Sequence, residues 1–224
     1  MWPEWLLGAV LATQGVSTGV SELRFLALGD SYTIGEGVSA PERWPHQLAA
    51  QLRANGVPLS DPTIVATTGW TTDELSAAMD KAALSPPYDL VTLSIGVNNQ
   101  YRGYPVDQYR TEFAALLDRA IMLAGHRPER VVVVSIPDWG VTTFGAGSGR
   151  DTATIARELD TFNTVNREEA RKRRVAWADV APASRRAGNS PDQLASDGLH
   201  PSGRQYTGWV REIYPPALAA LSSH

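Results

Sequence analysis

Cysteine is absent from the 224-residue chain. That excludes disulfide staples, thiolate catalysis and cysteine-ligated zinc, while leaving the compartment open. Histidine is scarce, and four residues of it give little material for a zinc site, so no metal is expected. A basic excess is missing as well: 20 Lys and Arg against 24 Asp and Glu leave a net charge of −4 and a pI near 5.6. Nucleic acid is therefore not expected as the main partner, because phosphate binding needs a basic surface. No stable membrane span is expected either, since the apolar run at residues 6–12 falls far short of the roughly 20 residues that cross a bilayer. A signal-peptide reading of "MWPEWLLGAVLATQGVSTGVSE" lacks its basic start, because Glu4 and no Lys or Arg precedes that run. Residues 1–22 are read as an extension, a short helix or loose segment, and a cytoplasmic location is favoured over export.

What remains is the composition of a soluble globular protein, 43% hydrophobic and 20% charged. No repeat or low-complexity linker divides the chain, and residues 23–224 suit one well-packed domain. Five short apolar runs read as strands, at residues 24–28, 63–66, 89–95, 130–136 and 174–177. "LVTLSI" and "VVVVSI" are apolar or small throughout, as in strands covered on both faces. Between the runs lie helical stripes: Trp44, Leu48 and Leu52; Tyr109, Phe113, Leu116, Leu117, Ala120 and Ile121; Ile155, Leu159, Phe162 and Val165; Tyr206, Trp209, Val210 and Ile213. "TTDE" opens a further helix over 71–84 with a cap and an acidic first turn. This alternation predicts an α/β fold, a three-layer α/β/α sandwich around a five-stranded parallel, flavodoxin-like sheet.

In such sheets ligands bind beyond the carboxyl ends of the strands. That rule selects residues 29–40, 67–71, 96–106, 137–150 and 178–200, and four features stand out there. Ser31 follows the first strand in "GDSY", where a serine more often caps the next helix. "SDGLHPSG" places Asp197 three residues before His200, so the carboxylate can reach the second ring nitrogen, or merely cap a turn. "SIGVNNQYRG" offers the Asn98 amide as a donor, and "ATTGWTT" offers the Gly69 N–H. Each alone is an ordinary turn.

Together they resemble the SGNH hydrolases, also called GDSL esterases and lipases, from about residue 24 to the end of the chain. "GDSY" resembles the nucleophile block and "DGLHPS" the last block, while Gly69 and Asn98 resemble the glycine and asparagine of the two middle blocks. The resemblance implies a serine esterase without metal or organic cofactor. Ser31 would be the nucleophile, His200 the base and Asp197 its partner, with an oxyanion hole from Ser31, Gly69 and Asn98. Substrates in such a family span simple esters, sugar acetates, thioesters and lysophospholipids; with no apolar lid helix in view, a small-molecule ester of a short acyl chain is favoured here. One departure is notable: the usual Gly-x-Asn-Asp reads Gly-Val-Asn-Asn, so Asn99 stands where a carboxylate supports the loop.

Several other features compete. "GVSTG" at 15–19 matches a nucleophile elbow around Ser17, but too little chain precedes it to supply the strand that an elbow needs. Gly35, Gly37 and Ala40 fit a loose dinucleotide fingerprint, yet Pro41 and Pro45 disturb the helix that would receive the pyrophosphate. A binding module that kept the fold is the other rival, opposed by the intact Ser31, Asp197 and His200. His46 reads as helix surface, and His126 precedes a strand at the wrong sheet edge. "RKRR" at 171–174 ends a helix carrying Glu168 and Glu169 and reads as a solvated face. Trp70, Tyr101, Trp139 and Phe144 are expected in the substrate pocket, with Tyr104 nearby, and the four glycines of "PDWGVTTFGAGSGR" predict a mobile flap.

Overall fold

The computed structural model describes residues 22–222. The expectations for the N-terminal extension and Ser17, and His224, lie outside the described residues. In chain order the elements are β1 (Phe25–Gly29), α1 (Ser31–Ile34), α2 (Trp44–Ala54), β2 (Thr63–Ala66), α3 (Thr72–Lys81), β3 (Leu90–Ser94), α4 (Val97–Tyr101) and α5 (Val106–Leu123). There follow β4 (Val131–Val134), α6 (Thr143–Gly147), α7 (Thr152–Lys172), β5 (Ala176–Ala178), α8 (Ala181–Ala187) and α9 (Gly203–Ser222).

The strands form one parallel sheet in the order β2-β1-β3-β4-β5, the flavodoxin-like arrangement. β1, β3 and β4 are buried along their whole length. They are covered by α2 and α9 on one face and by α3, α5 and α7 on the other. Large side chains such as Trp44, Trp209, Tyr109 and Phe113 fill those two interfaces.

The apolar runs are longer than the hydrogen-bonded strands, and the cause is local. Ile136 is buried beyond the end of β4, but the amide of Asn163 on α7 grips its backbone, accepting from the N–H at 2.7 Å and donating to the carbonyl at 2.9 Å. A side chain thus replaces the missing strand partner, as buried backbone groups require. α3 opens on a capping box of Thr71 and Glu74, as "TTDE" predicts, and stops at Lys81. α4, α6 and α8 lie in segments expected as loops; each is too short to carry a helical period.

The basic cluster at the end of α7 is exposed at Arg171, Lys172 and Arg174, as expected of a solvated face, but Lys172 and Arg173 also enter an ion-pair network. Glu169 is buried and receives Arg110 at 3.0 Å, Lys172 at 2.7 Å and Arg173 at 2.7 Å. Arg173 continues to Asp118 on α5 at 2.6 Å. Burial raises the Glu169 carboxyl, but the hydrogen bonds from Lys172, Arg110 and Arg173 outweigh it and hold the group below the usual range. A depressed carboxyl contributes stability above its unfolded pKa and loses it as pH falls through the folded pKa. Glu169→Gln should therefore lower stability at pH 7 by about 1–3 kcal/mol in urea or thermal unfolding. The gap to wild type should close as pH falls through the lowered folded pKa of Glu169, and a gap independent of pH would contradict the ion-pair account.

Candidate active site

Three neighbouring strands end at one level, because Gly29 pairs with Ala66 on one side and Ser94 on the other. The chain then turns sharply after Gly29, where a Cβ would stand 2.5 Å from the Ser94 carbonyl and 2.2 Å from Thr33 Oγ1. Asp30 caps α1 by accepting from the Tyr32 N–H at 3.1 Å, which leaves Ser31 as the first helical residue. Burial pushes the Asp30 carboxyl up to about 7, against the pull of that N–H. The Tyr32 carbonyl accepts from the Tyr206 hydroxyl at 3.0 Å, and its ring lies 5.3 Å from His200 and 5.8 Å from Trp209. Ser31 is thereby anchored between β1 and α9.

His200 arrives on the last loop, folded back on itself where Leu194 pairs with Pro201 and the Ala195 N–H reaches the His200 carbonyl at 2.7 Å. Asp197 organises this turn. One carboxylate oxygen accepts from the N–H groups of Leu199 and His200, both at 2.9 Å, and the other meets His200 Nδ1 at 2.6 Å. A carboxylate only accepts, so Nδ1 carries the proton and Nε2 is left as the acceptor of the neutral ring. Burial raises the Asp197 carboxyl, but the hydrogen bonds from His200 and the two backbone groups prevail and hold it below the usual range.

The loops after β2 and β3 are tied to each other. Asn98 Nδ2 donates to the Trp70 carbonyl at 2.9 Å, and Arg102 Nη2 donates to the Gly69 carbonyl at 2.6 Å. Asn99 is buried and faces α3: its Oδ1 accepts from the Thr72 N–H at 3.1 Å and its Nδ2 donates to Thr72 Oγ1 at 2.7 Å. The Thr72 hydroxyl in turn donates to Glu112 on α5, which also accepts from Gln108 at 2.8 Å. The carboxylate expected at position 99 thus stands one hydroxyl further on, at Glu112.

One cavity of about 200 Å³ joins these parts. It is lined by Ser31, Gly69, Asn98 and His200 together with the apolar side chains of Val97, Tyr101, Trp139, Phe144 and Leu199. Among the described residues the Ser31 hydroxyl has no hydrogen-bond partner. Trp70, expected in the pocket, does not line this cavity: its ring packs partly buried against the core and only its carbonyl serves the site. Tyr104 lies outside the cavity too, in a groove beyond Tyr101. Tyr32, Thr68, Val97 and Leu199 line it without having been singled out from the sequence; each adjoins a motif residue, and that adjacency was the available signal.

The glycine-rich segment, expected as a mobile flap, is tied to its surroundings at several points. Asp138 and Thr142 cap its two short turns, Asp138 pairs with Arg185 at 2.8 Å, and the Phe144 N–H reaches the Gly198 carbonyl at 2.9 Å. The dinucleotide reading also finds no cradle, because Gly37 lies against Ala195, where a Cβ would approach to 2.8 Å. His46 and His126 stand apart from the cavity. Among the described residues no cluster of His, Asp and Glu could hold a metal ion, and no helix is long and apolar enough to cross a membrane.

Comparison with known proteins follows this geometry. The model of the GDSL-like lipase/acylhydrolase family matches residues 27–207. The fold is similar to that of TesA, with a TM-score of 0.69 at 19% identity over 88% of this chain and 99% of that one. The psychrotrophic esterase EstA from Pseudoalteromonas sp. gives 0.67 at 18% identity over 90% and 100% of the two chains. The acetylxylan esterase Axe2 from Geobacillus stearothermophilus gives 0.62 at 18% over 90% and 95%. No curated protein matches the sequence.

The Asn99 arrangement has a direct test. The Thr72 hydroxyl has one proton, already given to Glu112, so Asn99→Asp would set a carboxylate oxygen against a lone pair, close to a second carboxylate. A loss of about 1–3 kcal/mol at pH 7 is expected by urea unfolding. Crowding and burial raise the new carboxyl, so the loss should shrink as pH falls below its folded pKa. Glu112→Gln in the Asn99→Asp background should recover most of it, and purely additive losses would contradict the shared hydroxyl.

Proposed function

The chain belongs to the GDSL-like lipase/acylhydrolase family, and on that premise we propose that it is a serine esterase acting on carboxylic esters of short acyl chains. The observation that carries this reading is that Ser31, Gly69, Asn98 and His200 line one cavity, with His200 held by Asp197 at 2.6 Å. Ser31 Oγ attacks the ester carbonyl while His200 Nε2 takes its proton, and Asp197 stabilises the imidazolium that forms. In substrate-free sites the contact between nucleophile and base is commonly long and tightens on binding.

The carbonyl oxygen becomes an oxyanion, met by the N–H groups of Ser31 and Gly69 and by the Asn98 amide. Asn98 suits that role because one of its amide hydrogens is fixed on the Trp70 carbonyl, which leaves the other oriented. His200 then protonates the departing alkoxide and the alcohol leaves. Water attacks the acyl-enzyme, gives a proton to His200, and the acid departs as the proton returns to Ser31.

The size of the cavity supports a short acyl chain: at about 200 Å³ it is smaller than the roughly 300–1,000 Å³ typical of drug-sized ligands, and the rings of Tyr101, Trp139 and Phe144 line it. A panel of acyl esters from acetyl to palmitoyl should show kcat/KM falling steeply beyond about butanoyl as the added methylenes outgrow the wall. Ser31→Ala should remove at least about 10³-fold of the turnover, and Asn98→Ala about 10²–10³-fold with little change in Tm. Activity surviving Ser31→Ala would sink the mechanism. Folded protein whose Ser31 resists a fluorophosphonate would instead support a binding module.

A further inference from the structure

Trp139, which lines the cavity, is 2% exposed, whereas its neighbours Tyr101 and Phe144 are 50% and 39% exposed. The three rings contact one another, Tyr101 edge-on to Trp139 at 5.4 Å and Phe144 at 6.0 Å. A buried indole N–H needs an acceptor, and Trp139 finds it in Gln100 Oε1 at 2.8 Å. That contact fixes which way the buried Gln100 amide points, so its Nε2 must find an acceptor on the other side. It donates to Glu158 Oε2 at 2.5 Å. The same oxygen accepts from Arg150 at 2.6 Å, and the Arg150 guanidinium lies 5.6 Å from the centre of the Trp139 ring.

The contacts close a loop. Trp139 is held at its N–H through Gln100 and over its face by Arg150, and Glu158 joins the two. The loop draws on α4, on the segment after β4 and on α7, and Gln100 is two residues from Asn98. Releasing the link between Trp139 and Gln100 would leave a buried donor and a buried acceptor unmet, whereas Arg150 and Glu158 are partly exposed and restrain the pair from the solvent side.

We infer that Gln100, Glu158 and Arg150 form a latch that holds Trp139 as a fixed end wall and thereby sets the acyl-length limit of the enzyme. The inference rests on the esterase reading above and names its specificity-determining positions. All three latch residues act through Trp139 and none is a catalytic residue. With the latch intact, Trp139 refuses carbons beyond a short chain; with it released, the indole can turn aside and the cavity lengthens.

The test compares butanoyl and octanoyl esters on full-length wild type, Gln100→Met, Arg150→Met and Trp139→Ala, with Tm measured beside each. Gln100→Met keeps the side-chain length but removes both hydrogen bonds. It should raise the octanoyl-to-butanoyl ratio of kcat/KM about tenfold, mainly through a lower KM for octanoyl, since misfit of a methylene or more commonly costs about 10–200-fold. Arg150→Met acts at a side chain 34% exposed, where folding is safe, and should raise the ratio about threefold. Trp139→Ala should raise it at least as far as Gln100→Met. If Trp139→Ala moves the ratio and both latch variants leave it within twofold of wild type, the latch is overturned. Activity lost in parallel for both esters as Tm falls would mark Gln100 as merely structural, and overturns it equally. A ratio unmoved even by Trp139→Ala overturns the wall itself. Each of these is distinct from activity surviving Ser31→Ala, which would overturn the esterase reading instead.

Discussion

The site depends first on where three parallel strands stop. Gly29 is hydrogen-bonded in register with Ala66 and with Ser94, so the loops carrying Ser31, Gly69 and Asn98 leave the sheet side by side. Parallel ladders allow little choice here: a slip of one residue would turn every core side chain toward the wrong layer. β1 and β3 are buried on both faces, and that burial fixes the register far more firmly than any contact among the loops themselves.

Cross-links between loops then convert register into a rigid cavity. Asn98 holds the Trp70 carbonyl, Arg102 the Gly69 carbonyl, Asn99 both polar groups of Thr72, and Phe144 the Gly198 carbonyl. Each bond joins segments that are distant in sequence, and all but the one to the Thr72 hydroxyl satisfy a backbone group of a loop or helix start. Preorganisation of this kind matters for the proposed chemistry, because donors aimed in advance at a developing charge need no reorganisation during the reaction. The Asp197 turn follows the same economy: one carboxylate both shapes the loop through two N–H groups and holds the imidazole.

The strands, their parallel sheet and the cavity residues Ser31, Gly69, Asn98 and His200 were legible in the sequence. The signals were local: continuous apolar runs, a capping box, and short motifs at loop positions. The rest depended on pairing across the chain. Ile136 reads as strand by composition, yet its partner is Asn163 on a helix, which no local pattern announces. Trp70 falls in a loop expected to surround Ser31, but its ring packs partly buried against the core. The glycines after Asp138 mislead for a different reason. Gly145 lies where a Cβ would meet the Trp139 carbonyl at 2.4 Å and Gly140 where it would meet Ile155 at 3.0 Å, while Gly147 and Gly149 face open space. Glycine marks close packing as readily as it marks freedom, and only the tertiary neighbours distinguish the two.

Asn99 shows how a motif can change while its mechanics persist. A carboxylate at that position accepts from the N–H and the hydroxyl of a helix start; an amide accepts from the N–H but must donate to the hydroxyl. That reverses one hydrogen bond and frees the Thr72 proton, which then needs an acceptor. Glu112, one turn along α5 from Gln108, provides it. The negative charge in this chain lies one hydroxyl beyond position 99, at Glu112, and the Asn99 side chain ties α4 to the start of α3 at two points. A loop held by complementary donors and acceptors tolerates such an exchange when both ends of the chain of bonds change together. For that reason the motif departure leaves Asn98 where the proposed oxyanion hole requires it.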